Sequence, residues 1–83
     1  MKLVYFASVR EDLGCDQEDI AFPPDATTIA DCLQWMIAAD ERYARAFADP
    51  VKLRFAIDQQ MAKPGDQISG ASELAIFPPV TGG

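Results

Sequence analysis

One stripe of apolar residues limits the folds open to this chain more than any other feature. Ile29, Cys32, Leu33, Met36 and Ile37 recur at i, i+3, i+4, i+7 and i+8, the spacing that lines one face of an α-helix. Thr28 stands before the stripe and Asp31 three residues later, a capping-box arrangement that also sets an acid at the positive end of the helix dipole. Trp35 falls off the stripe and is predicted to cover an edge of the core. Strand-like segments lie before and after it. A lone amphipathic helix in such a setting must bury its apolar face on a sheet, which makes the chain α+β.

The flanking segments supply that sheet. Lys2 to Ala7 is a β-branched and aromatic run, predicted to be a central strand covered on both faces. Glu11-Asp12-Leu13-Gly14 reads as a turn, with Gly14 available for a positive φ. Glu18 to Phe22 reads as a second strand with Ile20 and Phe22 on one face, stopped by Pro23-Pro24-Asp25. A hairpin at the start follows. Glu41 to Ala48 suggests a short second helix with Tyr43 and Phe47 inward, ended by Asp49-Pro50. Lys52 to Asp58 alternates, with Leu53, Phe55 and Ile57 pointing in. Lys63-Pro64-Gly65-Asp66 is turn chemistry. Glu73 to Phe77 reads as the last strand, with Leu74 and Ile76 on one face and Ala75 and Phe77 on the other. The expectation is a mixed sheet of four to five strands with one main helix and a short second one.

Composition narrows the function. The chain has 83 residues, 13 acids against 7 bases, a net charge of -6 and no histidine. Without imidazole there is no Ser–His or Cys–His pair of the usual kind and no histidine metal ligand. The acidic balance disfavours nucleic acid, whose phosphates are neutralised by Lys and Arg. Cys15 and Cys32 match no metal or redox spacing and read as two reduced thiols. No run approaches the ~18 apolar residues of a membrane span, and the start lacks a signal-peptide pattern. A cytoplasmic protein with no bound cofactor or metal is expected, acting on or through a protein partner.

The closing residues carry what chemistry there is. After Glu73 no charged side chain appears, and the chain ends Phe77-Pro78-Pro79-Val80-Thr81-Gly82-Gly83. Pro78-Pro79 favours a stiff, extended exit from the sheet. Gly82 and Gly83 make the end as thin as a peptide can be, suited to entering a narrow channel with the carboxylate leading. A free α-carboxylate has a pKa of ~3.3–3.7 and is ionised and unreactive at neutral pH. It must be activated, for example as an acyl-adenylate; sulfide attack on that adenylate would give a nucleophilic thiocarboxylate. A chance diglycine at a frayed terminus is the bland alternative.

The element order and this ending resemble the small, sulfur-carrier subunit family of molybdopterin synthase, a ubiquitin-like β-grasp family. The resemblance takes in Val4-Tyr5-Phe6-Ala7, Val9-Arg10-Glu11, Gly14, Pro64-Gly65-Asp66 and the closing motif. It implies a β-grasp domain over 1–77 and an extended tail over 78–83. It implies that an E1-like adenylating enzyme uses ATP on the Gly83 carboxylate and that a sulfurtransferase supplies the sulfur. The carrier then docks on the large synthase subunit, in a heterotetramer of two small and two large subunits. Pro78, Pro79, Val80, Thr81 and Gly82 follow into its active site, and sulfur passes to cyclic pyranopterin monophosphate. Arg10 pairs with an acidic partner residue in this picture; on its own it reads equally as a solvated turn arginine.

Other readings stay open beside it. Phe77 is either an interface anchor on the open side of the sheet or an internal packing residue. Glu11, Asp12, Asp16, Glu18 and Asp19 either steer the domain to basic partners or form a solvated edge. A thiamine-type sulfur carrier, a ubiquitin-like modifier and a plain protein-binding module are the functional rivals. An iron–sulfur carrier on the same fold would need four cysteine ligands, against the two present.

Overall fold

The computed structural model describes residues 1–79. Nine elements follow one another: β1 (Lys2–Tyr5), α1 (Ala7–Leu13), β2 (Gln17–Asp19), α2 (Ile29–Ala39), α3 (Glu41–Ala46), a 3-10 turn (Pro50–Lys52), β3 (Arg54–Ile57), β4 (Gln60–Ala62) and β5 (Glu73–Phe77). The strands form one sheet in the order β2-β1-β5-β3-β4. β1 and β5 run parallel at its centre, and every other pair is antiparallel.

The apolar stripe forms α2, and Ile29, Cys32, Leu33 and Met36 are buried along it. Its capping box is complete: the Asp31 N–H donates to Thr28 Oγ1 at 3.1 Å, and the Thr28 N–H donates to Asp31 Oδ2 at 3.1 Å. Backbone donation from Thr27 and Thr28 holds the Asp31 carboxyl below the usual carboxylate range. The 63–72 loop satisfies the next donors, with Ile29 N–H on the Asp66 carbonyl and Ala30 N–H on that of Pro64. The helix packs on a cluster containing Leu3, Tyr5, Phe55, Leu74 and Ile76. Tyr43 and Phe47 join this core with their rings stacked, centroids 6.0 Å apart.

Five sequence expectations need correction. The first strand ends at Tyr5, and the predicted turn is largely helix α1. Val9 and Leu13, four residues apart, are buried on one helical face, and this packing outweighs the turn-forming composition of Glu11 to Gly14. Gly14 does take φ 75°, as the left-handed residue that closes α1. The second strand is Gln17–Asp19, antiparallel to β1, and Ile20 and Met1 add one further pair of backbone bonds beyond it. Ile20 and Phe22 lie beyond it, partly buried against the core. β3 starts only at Arg54, since the 3-10 turn takes up Lys52. Finally, β1 is covered on one face only among the described residues: the helices' buried side chains join Leu3 and Tyr5, and Phe6 remains 48% exposed.

β3 and β4 are joined by Asp58 and Gln59, both at positive φ (48° and 70°). Such a two-residue connection matches the twist of a tight hairpin. Asp58 also accepts from the Ser72 and Glu73 N–H groups at 3.0 and 2.9 Å, fixing the start of β5. That start sets where the tail leaves the sheet.

Candidate functional site

The sheet register defines an open face. Val4 pairs with Ala75, Ala75 with Ala56, and Ala56 with Met61, so these four side chains share one side of the sheet. The opposite side carries Tyr5, Ile76, Phe55 and Ala62, and it meets the core. At one end of the open face Lys2 approaches Glu73 at 3.9 Å. At the other, Phe77 lies opposite Arg54 in the register, and its ring meets Phe6 edge-on at 6.3 Å. Phe6 is 48% and Met61 69% exposed. An apolar strip flanked by charge is the usual form of a protein-docking surface.

Phe6 owes its position to the step from β1 into α1. Its own backbone is extended, and Ala7 then takes φ 50°, a conformation that costs a residue with a Cβ about 1–2 kcal/mol. The sharp step puts Phe6 beside Phe77 and starts α1 over the end of β5. Arg10 stands exposed on α1. Ser8 and Asp12 of α1, Arg45 of α3 and Lys52 line a groove that also contacts Pro78 and Pro79. The two prolines are half-buried there, directly after β5.

One carboxylate ties several of these elements together. Glu18 Oε2 accepts from the hydroxyls of Tyr5 and Tyr43, each at 2.6 Å. Arg42 donates to Glu18 Oε1 at 3.4 Å and to the Tyr43 oxygen at 3.0 Å. It also reaches the Leu13 carbonyl at 3.4 Å, closing the end of α1. Burial, together with the bond to Glu18, pushes the Tyr43 hydroxyl up to about 12 and raises that of Tyr5 as well. Of the acids between Glu11 and Asp19, Glu18 is therefore a structural anchor, whereas Glu11, Asp12, Asp16 and Asp19 are exposed.

The described residues thus place Arg10, Phe77, Pro78 and Pro79 around one end of the sheet. Val80, Thr81, Gly82 and Gly83 lie outside the described residues. Phe6 and Met61 were not singled out in the sequence, although Phe6 extends the outward alternation that begins at Lys2 and Val4. The Glu18 anchor had a readable signal too: a lone acid at the inward parity of Ile20 and Phe22. Among the described residues no group of three or more His, Cys, Asp or Glu is placed to hold a metal ion. No helix among them is long and apolar enough to cross a membrane. Both cysteines are free thiols; burial pushes the Cys32 thiol up to about 11.

A mixed five-stranded sheet with two parallel central strands, gripping one main helix, defines a ubiquitin-like β-grasp protein. The chain belongs to the ThiS family, which matches residues 3–83. Along its whole length it is 37% identical to the molybdopterin synthase sulfur carrier subunit of Escherichia coli (strain K12), covering 99% of that protein. It is 30% identical over 83 residues to the Haemophilus influenzae protein of the same name, again covering 99%. Among solved structures, SAMP1 from Haloferax volcanii superposes with a TM-score of 0.74 at 26% identity, covering all of this chain and 98% of that one. A putative molybdopterin converting factor subunit 1 from Pyrococcus furiosus shares the fold, with a TM-score of 0.73 at 22% identity and 95% of each chain covered.

Proposed function

We propose that this protein is a sulfur carrier in molybdenum cofactor biosynthesis, the small subunit of a molybdopterin synthase. What supports the reading is the end-to-end alignment with molybdopterin synthase sulfur carrier subunits, which takes in the closing Phe77 to Gly83. The Gly83 carboxylate attacks ATP on an E1-like adenylating enzyme, forming the acyl-adenylate and releasing pyrophosphate. A sulfide equivalent from a sulfurtransferase displaces AMP and leaves the thiocarboxylate. The loaded carrier docks on the large synthase subunit, and its sulfur passes to cyclic pyranopterin monophosphate. Two such transfers build the dithiolene. The domain binds no cofactor itself; ATP belongs to the activating step.

Each part of the chain has a task in this scheme. The open face, with Phe6, Met61 and Phe77, is the docking surface, and Arg10 pairs with an acid at its rim. Pro78 and Pro79 leave the sheet as a stiff lead, and Val80 to Gly82 pass through a channel too narrow for larger side chains. One test follows from that narrowness. Adding a residue after Gly83, or changing Gly82→Trp, should stop molybdopterin formation in a mixture reconstituted with the large subunit, while urea unfolding stays unchanged. Normal product from either variant would refute channel insertion.

A second reading, a protein modifier, is favoured by the likeness to Haloferax volcanii small archaeal modifier protein 1, at 28% identity and a TM-score of 0.71. The two differ in the acceptor. A modifier would leave Gly83 in an amide bond to a lysine of another protein; a synthase subunit would release sulfur to a pterin.

A further inference from the structure

One long stretch of the chain carries acids and no base. All seven bases lie outside residues 11–41, since Arg10 is followed next by Arg42, whereas nine of the thirteen acids lie inside that stretch. This segment contains α2, whose buried stripe faces the core. Its outer side carries Trp35, 39% exposed. The ring is held in place by Phe22, which meets it edge-on at 5.5 Å. Pro23, Asp25, Asp31 and Gln34 complete a shallow hollow beside it. Asp25 makes no hydrogen bond or ion pair among the described residues, so its carboxylate is available.

A fixed aromatic face and an available carboxylate in one hollow attract an organic cation, because the ring's quadrupole and the acid both favour positive charge. The absence of any base through residues 11–41 means that no side chain in this stretch competes for the place. We propose that this hollow seats a lysine or arginine side chain from a basic segment of a partner protein, held between the Trp35 ring and the Asp25 carboxylate. The site lies on the helix side of the sheet, so a partner can occupy it while the open face and the tail are engaged elsewhere. It is independent of the sulfur-carrier reading.

Trp35 is the only tryptophan, so its emission reports directly on the hollow. The probe is a capped peptide of alternating arginine and glycine, with a control peptide carrying glutamine for arginine. The arginine peptide should shift Trp35 emission and the Trp35 indole N–H resonance in a saturable way, and the control should not. Asp25→Asn should weaken binding by roughly two- to fivefold, the scale of an exposed ion pair. Trp35→Leu, followed by the Asp25 amide resonance, should do the same. Asp16→Asn removes one acid from the same base-free stretch outside the hollow, and it should change affinity far less. Equal losses for Asp16→Asn and Asp25→Asn would mean that net charge alone attracts the peptide, and would overturn the proposal. So would Trp35→Leu abolishing a concentration-dependent dimer, which would make a second copy of this chain the occupant. Urea unfolding of each variant separates lost binding from lost folding.

Discussion

Glu18→Ala tests the carboxylate anchor that joins Tyr5 and Tyr43. In the wild-type chain one carboxylate oxygen accepts from both Tyr5 and Tyr43 at 2.6 Å, and both rings are buried. Alanine leaves two buried hydroxyl donors without their acceptor, at about 1–3 kcal/mol each, or about 2–6 kcal/mol together. The Arg42 ion pair adds little to this, because it is partly exposed. A chain of 83 residues has about 4–12 kcal/mol of total stability, taking about 0.05–0.15 kcal/mol per residue. The variant should therefore lose a large fraction of its stability. Urea titration followed by Trp35 emission measures the loss. In a Tyr5→Phe, Tyr43→Phe background no hydroxyl is stranded, and Glu18→Ala should cost much less. A loss under about 0.5 kcal/mol in the wild-type background, the range of an ordinary surface change, would refute the anchor.

Three further outcomes follow from the same structure. Phe6→Ala and Met61→Ala remove exposed side chains and should shift stability by no more than about 0.5 kcal/mol; either should weaken binding to the large synthase subunit by about tenfold or more if it is a hot spot, as calorimetry would show. Tyr43 is raised by burial and by its bond to Glu18, so its folded pKa of about 12 exceeds the unfolded value of about 10. Its contribution to stability is full below about pH 10 and is lost as pH rises through about 12; Tyr43→Phe should flatten that alkaline decline in chemical denaturation. Gln59 sits at φ 70° in the β3–β4 turn, and Gln59→Gly should raise stability by about 0.5–1 kcal/mol through relief of left-handed strain, read as a higher urea midpoint.

The sequence revealed α2 more fully than any other element, because period, cap and stripe agree over eleven residues. The final strand was equally plain, since Leu74 and Ile76 alternate with Ala75 and Phe77 and the prolines mark its end. α1 was hidden by its shortness. Seven residues with only Val9 and Leu13 buried give too little period, and Glu11-Asp12 beside Gly14 resembles a turn. The open sheet face was half legible. Phe77 and Arg10 stood out, but Phe6 and Met61 join them only through pairing across β1, β5, β3 and β4, which is long-range information. The role of Glu18 was lost among neighbouring acids for the same reason: its partners Tyr5 and Tyr43 lie 13 and 25 residues away.

In the proposed cycle, sulfur rides on the carboxylate of Gly83. Intact-protein mass spectrometry after incubation with ATP, an E1-like adenylating enzyme and a sulfur donor measures this directly, with fragmentation to locate the change. One oxygen of the Gly83 carboxylate should be replaced by sulfur; omitting ATP should prevent this, and deleting Gly83 should abolish it. An unchanged mass, under conditions that load the Escherichia coli carrier subunit, would contradict the proposed cycle.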